Sequence, residues 1–499
     1  VMKRFFALML CALLILPVAA CGKKPPAPGE QTSGTPESES GTAEEEYPYY
    51  DGHDFTGETF TILNYESYCD TNLAFAPTEY VGGDILNNAM IRRTSYVEEK
   101  LHIRVEEDRK GYADLGGWGG QARLGQLVAQ ADLGGDAIWD VANLFLNWSA
   151  SLITTGCLLD LREVDGLHLD EDYWDANIMD ALTLDGKCYT GSSKFTLMPF
   201  DLTWGIFFNE SRIASMGLES PYALVDSKSW TLDKMLEYVK AGAALNGSGS
   251  TDFENDSSTV CGIAAHTDAV TALVIAAGNP LLVRNSDGEI QSNISTERLY
   301  DSIRRVEQIF SKSQGHSNLG VSLPNDKSKP YGYTEMFKSG RALFLTAEIK
   351  DASTLRDMEE KFGVLPTPMY DREQGSYQAI LGAPALLTLP RRQKNLAHTA
   401  LVLDALSYES GDVMNTYVTR IVMRRNLPNP DSERMMNIIH DNLTVEFGSF
   451  FEFTAHYINE LRLSIRAEST DPASLAEREA DTIDLRVEKF FEKLQSAKE

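Results

Sequence analysis

The sequence predicts an α/β fold. Short β-rich runs alternate with stretches of helical periodicity along most of the chain, and 499 residues with 43% hydrophobic content supply more than one core. At about 100–200 residues per domain, the length allows two to four domains.

The alternation can be followed from Glu58. Glu58–Asn64 (ETFTILN) is β-rich and ends in the polar Asn64-Tyr65-Glu66. Asp84–Leu101 places apolar residues at 85, 86, 89, 90, 97 and 101, a helical spacing. His102–Glu106 alternates as a strand, Leu124–Ala131 is helical, and Trp139–Leu146 (WDVANLFL) is an apolar strand ending in Asn147-Trp148. A helix over Ser149–Leu161, closed by Gly156, is expected next, then a hairpin end at Gly186–Ser193 and a strand at Trp204–Asn209. At Trp230–Met235 a helix begins: Thr231 can cap free N–H groups, and Trp230 and Met235 stand at staple positions, which gives Trp230 a structural role. Thr334–Lys338 is helical, Ala342–Thr346 (ALFLT) a buried strand, Phe362–Pro366 a short strand, and Gln378–Pro390 strand-like. From residue 395 helices dominate: 395–408, 412–425, 431–441 and roughly 471–497. Strands and helices at this spacing predict a mainly parallel sheet, and ligands of such folds sit beyond the carboxyl ends of strands.

The start of the chain has a different character. Lys3 and Arg4 precede an uncharged run from Phe5 to Ala20, shorter than the ~20 residues that span a bilayer. This is the pattern of a secretory signal over 1–20. Val18-Ala19-Ala20-Cys21 resembles a bacterial lipobox, which makes Cys21 the expected lipidation site and a membrane surface the expected location. Residues 22–46 are rich in Pro, Gly, Ser, Thr and Glu, with no aromatic or branched aliphatic residue. They read as a tether, and the whole of 21–54 as anchor and linker.

Charge and motifs narrow the function. The formal net charge is −28. Loss of residues 1–20 removes two cations and no acid, so the remainder is more acidic still. Nucleic acid is excluded as a partner, because phosphate binding needs a basic surface. No metal-type cysteine spacing, H-E-x-x-H, G-x-S-x-G, Walker loop or G-x-G-x-x-G occurs. No cofactor is implied, and no catalytic residue is assigned. Gly116–Gly120 (GGWGG) reads as a loop, and Gly242–Ser258 lacks the order of a calcium loop. The acidic pairs Glu98/Glu99 and Glu359/Glu360 read as solvated helix faces. Cys69, Cys157, Cys188 and Cys261 read as small buried hydrophobes, with a Cys157–Cys188 disulfide as the alternative in an exported chain.

Several stretches in order resemble a known family. They are Asp84–Arg93 (DILNNAMIRR) with Val97–Leu101, Asp140-Val141 followed by Gly156–Leu161, Phe207–Asn209, Ser229–Met235, Met336–Leu345 (MFKSGRALFL), Leu355–Pro368 (LRDMEEKFGVLPTP), Thr399–Tyr408 and Asn415–Tyr417. Over about residues 55–450 the chain resembles the extracellular solute-binding proteins of family 1, the maltose-binding-protein-like lipoproteins of ABC importers, in their long clostridial form. The resemblance implies a two-lobe periplasmic-binding-protein-like fold (type II), hinge-joined, with the ligand cleft between lobes. It implies lobe 1 over 55–200 plus 380–425 and lobe 2 over 201–379 plus 426–499, with crossings near Phe200 and Tyr377–Ala379. The implied function is capture of a carbohydrate by a monomer on the outer face of the cell membrane, and delivery to ABC permease subunits. Carried over by position, the ligand-binding candidates are Tyr65, Glu66, Asn147, Trp148, Asp201, Trp204, Glu348, Lys350 and Tyr377, with Tyr331 and Tyr333 behind them. Sugars need aromatic platforms and fixed polar partners. A peptide or other polar solute in the same fold, and a lipid-anchored glycoside hydrolase, are the competing readings; paired carboxylates at hydrolase separation are a spatial property.

Overall fold

Thr59–Tyr65 forms β1, and the amphipathic stretch after it forms α1 (Ile85–Leu101), whose N-terminus is capped by Asp84 accepting from the Asn87 N–H. These belong to a computed structural model that describes residues 46–66, 75–111, 115–116, 120–253, 255–286, 288–320, 332–382, 384–427 and 429–496. The signal, Cys21, the tether, Cys69, Trp118 and Tyr331 lie outside the described residues. The folded unit is Tyr47–Glu499.

The chain continues through β2 (Arg104–Lys110), α2 (Ala122–Gly134), β3 (Val141–Phe145), α3 (Leu146–Ser149), β4 (Trp204–Asn209), α4 (Leu232–Ala243), β5 (Cys261–His266), α5 (Asp268–Ala276), α6 (Glu297–Ile309), β6 (Ser317–Gly320), β7 (Ala342–Glu348), β8 (Phe362–Leu365), β9 (Ala385–Thr388), α7 (Leu396–Tyr408), α8 (Pro430–Asp441), α9 (Ala455–Arg466) and α10 (Pro472–Ser496). Two main sheets result. The first has the order β9-β3-β1-β2 and the second β8-β4-β7-β5-β6. α1 packs against α7 and α2 against β3 beside the first sheet. α4 lies on β5, α8 on β8, and α9 and α10 close over α5 and α6 beside the second.

The α4 start follows the sequence reading. Thr231 accepts from the Lys234 N–H, and Trp230 and Met235 are both fully buried. The Trp230 indole also donates to the Pro366 carbonyl at 3.0 Å, so its polar edge is satisfied inside the core.

Three features depart from expectation, while the sheets are mainly parallel as expected: β1, β2 and β3 run parallel, as do β5, β6 and β7, and only β9, antiparallel to β3, and β4, antiparallel to both β7 and β8, run the other way. β4 and β9 are the strands by which the chain enters each sheet from the other, and they arrive at the carboxyl ends of their neighbours. The helix expected over 149–161 is α3 plus the single turn Ser151–Thr154, ended by Gly156 in the left-handed region (φ 67°). Gln378–Pro390 breaks into Ala379–Ile380 and β9. The helix expected over 412–425 is α-helical only for Gly411–Asn415 and winds as a π-helix over Thr416–Asn426.

The described cysteines follow the expectation of small buried hydrophobes, whereas the acidic pairs differ from theirs. Cys157, Cys188 and Cys261 are free and buried, so no Cys157–Cys188 bridge forms. Burial pushes the Cys188 thiol up to about 11 and the Cys261 thiol up to about 12, which keeps both protonated and inert. Glu98 and Glu360 are not simply solvated: Glu98 accepts from the Val105 N–H (2.8 Å), and Glu360 from the Asn209 amide (2.6 Å) and Arg212 (3.1 Å).

The passages between the sheets run side by side. The chain leaves the first sheet after Ser193 and enters the second at Trp204, and it returns between Leu365 and Ala385. Thr203 bridges Leu381, the Gly382 N–H donates to the Leu202 carbonyl (2.7 Å), and Ala379–Ile380 pairs with Leu443–Thr444. Three segments of distant sequence are thereby tied into one narrow band.

Candidate functional site

In both sheets the passages join at the rim formed by the carboxyl ends of the parallel strands. On the first sheet this rim holds the ends of β1 and β3. Tyr65, the last residue of β1, is buried edge-on against Phe145 (5.3 Å between ring centres), and Phe145 packs on Trp148 (5.5 Å). β3 passes directly into α3, so Asn147 and Trp148 sit on a helical turn rather than a loop, and Trp148 is partly exposed. The result is a graded aromatic ladder from core to surface.

Beneath the ladder lies a polar layer. The Asn143 amide donates to Asn64 Oδ1 (3.1 Å), and the Asn64 amide donates to Glu107 Oε1 (2.8 Å). Glu107 Oε2 accepts the Ala76 N–H (3.2 Å) and so ties down the chain ahead of α1. Beside the ladder, Asn147 Oδ1, Ser149 Oγ and both amide atoms of Gln121 are buried without a hydrogen-bond partner among the described residues. Glu66 is exposed, with its N–H on the Lys110 carbonyl (2.7 Å).

On the second sheet the rim holds the start of β4 and the ends of β5 and β7. Trp204 pairs with Glu348 across β4 and β7 and is buried. Glu348 is paired to Lys350, and both are half-buried. His266, the last residue of β5, lies 3.4 Å from Asp268, which also bonds Arg462 at 2.9 Å. Burial opposes charge on Asp268, but the His266 hydrogen bond and Arg462 outweigh it and hold its carboxyl below the ordinary range.

The candidates thus divide. Tyr65, Glu66, Asn147 and Trp148 gather on the first rim, and Trp204, Glu348 and Lys350 on the second. Asp201 is fully buried and accepts from the Tyr417 hydroxyl, joining the first passage to the π-helical turn. Burial and that carboxylate raise the Tyr417 phenol far above its usual range. Tyr377 is buried with its hydroxyl on the Val225 carbonyl (3.1 Å), and Tyr333 is likewise interior. Sequence reasoning missed His266, Asp268, Gln121 and Ser149, because β5 (CGIAAH) is too short and too poor in branched residues to announce a strand end. It also missed the aromatic group of Phe447, Phe451 and Phe453, whose short helix Phe447–Phe450 packs against α3. Among the described residues, no group of three or more His, Cys, Asp or Glu is placed to hold a metal ion. Among them, too, no helix is long and apolar enough to cross a membrane.

No protein-family model matches the sequence, and no curated protein matches it. Solved structures do. A cyclo/maltodextrin-binding protein complexed with maltotetraose superposes with a TM-score of 0.57 at 14% identity, covering 87% of this chain and 99% of that one. The galacto-N-biose/lacto-N-biose I-binding protein of an ABC transporter from Bifidobacterium longum gives 0.55 at 13% identity, covering 87% and 97%. An ABC substrate-binding protein from Listeria monocytogenes in complex with cycloalternan gives 0.54 at 13%, covering 86% and 98%. The chain therefore shares the two-lobe α/β fold of these structures.

Proposed function

We propose that the protein is a lipid-anchored extracellular solute-binding protein that captures a carbohydrate and hands it to an ABC importer, without catalysing a reaction. The observation that carries this reading is the ladder Tyr65–Phe145–Trp148 on one rim, with hydrogen-bonding groups on the other and a narrow three-segment band between them. An aromatic face stacks on the C–H face of a sugar ring, and half-buried Glu348 and Lys350 offer an acceptor and a donor to its hydroxyls. Segments 202–203, 379–382 and 443–444 serve as the hinge, with lobe 1 spanning 55–200 plus 380–425 and lobe 2 spanning 201–379 plus 426–499. The solute is enclosed when the lobes close, and permease subunits read the closed form.

A thermal-shift screen with maltose, maltotetraose, cycloalternan and lacto-N-biose tests it. At a hundredfold excess over Kd, a binding sugar is expected to raise Tm by about 3 °C. Trp148→Ala is expected to weaken that sugar about 30-fold, the loss of one stacking face. Peptides that shift Tm where no sugar does would replace this reading. The anchor is tested separately: in cells, Cys21→Ala is expected to move the protein from the membrane fraction to the medium, and unchanged fractionation would exclude lipidation at Cys21.

A further inference from the structure

Asp351 is a buried carboxylate on the second rim that accepts no hydrogen bond among the described residues. It follows β7 by three residues, in the turn Ile349–Leu355, and is 7% exposed. The groups around it are already committed: Lys350 to Glu348, and Arg462 to Asp268. His266 packs near Tyr333 (5.9 Å) and leans on Asp268. No hydrogen bond or ion pair reaches the Asp351 carboxylate from the described residues. A carboxylate this buried is destabilising unless donors satisfy it. Burial accordingly pushes its carboxyl up, with Lys350 and His266 pulling in the other direction. β5 and β7 are parallel and end together, so Asp351 and His266 belong to the same rim as Glu348.

We propose that Asp351 and His266 form a solute-binding pair on the second lobe, the carboxylate accepting from adjacent hydroxyls of a neutral sugar and the imidazole making a further hydrogen bond beside it. This rests on the reading of the cleft as a carbohydrate site. The absent donors come with the solute, so the lobe holds a destabilised acceptor until it is occupied. An acceptor of this kind selects free hydroxyls over alkylated ones, because a buried acceptor facing a methyl ether stays unpaired.

The experiment compares wild type with Asp351→Leu, Asp351→Asn and His266→Gln in the full chain. Two readouts are taken: Tm without sugar, and Kd by calorimetry for the sugar that shifts wild-type Tm most. Asp351→Leu is expected to keep or raise the sugar-free Tm and weaken binding 10–100-fold. Asp351→Asn, which retains one acceptor oxygen, should fall between, and His266→Gln should weaken binding several-fold. Wild-type Kd in both Asp351 variants overturns the pair. So does a sugar-free Tm that drops in Asp351→Leu, since the carboxylate then holds the fold, and this readout needs no ligand. If no sugar shifts the wild type while the Tm of Asp351→Leu rises, the carbohydrate reading fails and the pair awaits donors of another solute, tested with the same variants against peptides.

Discussion

Asp404→Ala is expected to cost about 3–5 kcal/mol of stability, the range for removing one partner from a buried charged network. Asp404 lies in α7 and is fully buried. Its carboxylate accepts from the Tyr47 hydroxyl (2.9 Å), the Tyr173 hydroxyl (2.8 Å), the Trp174 indole (3.0 Å) and the His168 N–H (3.0 Å), with His168 Nδ1 at 2.7 Å. Alanine leaves the Tyr47, Tyr173 and Trp174 donors buried and unpaired and frees half-buried His168, and each lost buried partner costs about 1–3 kcal/mol before relaxation. Asp404→Asn keeps one acceptor oxygen and should lose about half as much. Tyr47 opens the folded unit and is held by this carboxylate, while Tyr49 stacks on His168 at 3.9 Å. The same variants should therefore expose Tyr47–Tyr50 to limited proteolysis before global unfolding. Urea midpoints and a timed digest check both parts; a midpoint within experimental scatter of wild type would remove Asp404 from the anchor.

Gly262→Ala is expected to destabilise the second lobe by about 3 kcal/mol or more. A Cβ on Gly262 would sit 2.1 Å from the Val239 carbonyl oxygen and 2.6 Å from its carbon, so α4 would have to move off β5 bodily. The clash is with backbone, which no rotamer change relieves. On the facing side, a Cβ on Gly242 would stand 3.0 Å from the Gly262 Cα, so the two glycines together permit a helix to lie at backbone distance on a central strand. β5 ends in His266, and a displaced β5 moves that residue on the rim. The variant should lose both stability, by urea titration, and sugar affinity, by calorimetry. A wild-type melting profile would show that α4 has more room than the contact allows.

Much of the architecture was legible in the sequence because it is written in local periodicity. The alternating run ETFTILN, the spacing of α1 and the cap and staple at Trp230–Met235 each encode an element without reference to the rest of the chain. The elements that escaped are those whose form depends on neighbours. β5 is a strand because β6 and β7 flank it, and its glycine is tolerated because α4 needs the space. Thr416–Asn426 carries a helical pattern, but its π winding comes from packing against α1 and the turn after β7. The antiparallel entries of β4 and β9 follow from the route of the chain between sheets, which no local pattern records.

The same division runs through the candidate site. Carried over by position from the resemblance, Trp148 and Glu348 are candidates as residues at strand ends, Asp201 as one ahead of a strand and Tyr377 as one at a crossing, and the last two are interior. What a residue type contributes is local; whether it meets a solute depends on burial, which depends on everything packed around it. The sequence by itself determined the α/β class, the acidic balance, the Cys21 motif and the order of strands and helices, because composition and period are properties of the chain. Only the tertiary structure decided that Tyr65, Phe145 and Trp148 form one ladder, that Asp404 gathers four donor residues, and that Asp351 meets no donor among the described residues. Those are outcomes of contacts between residues up to hundreds of positions apart, where the balance of burial and pairing is settled by geometry.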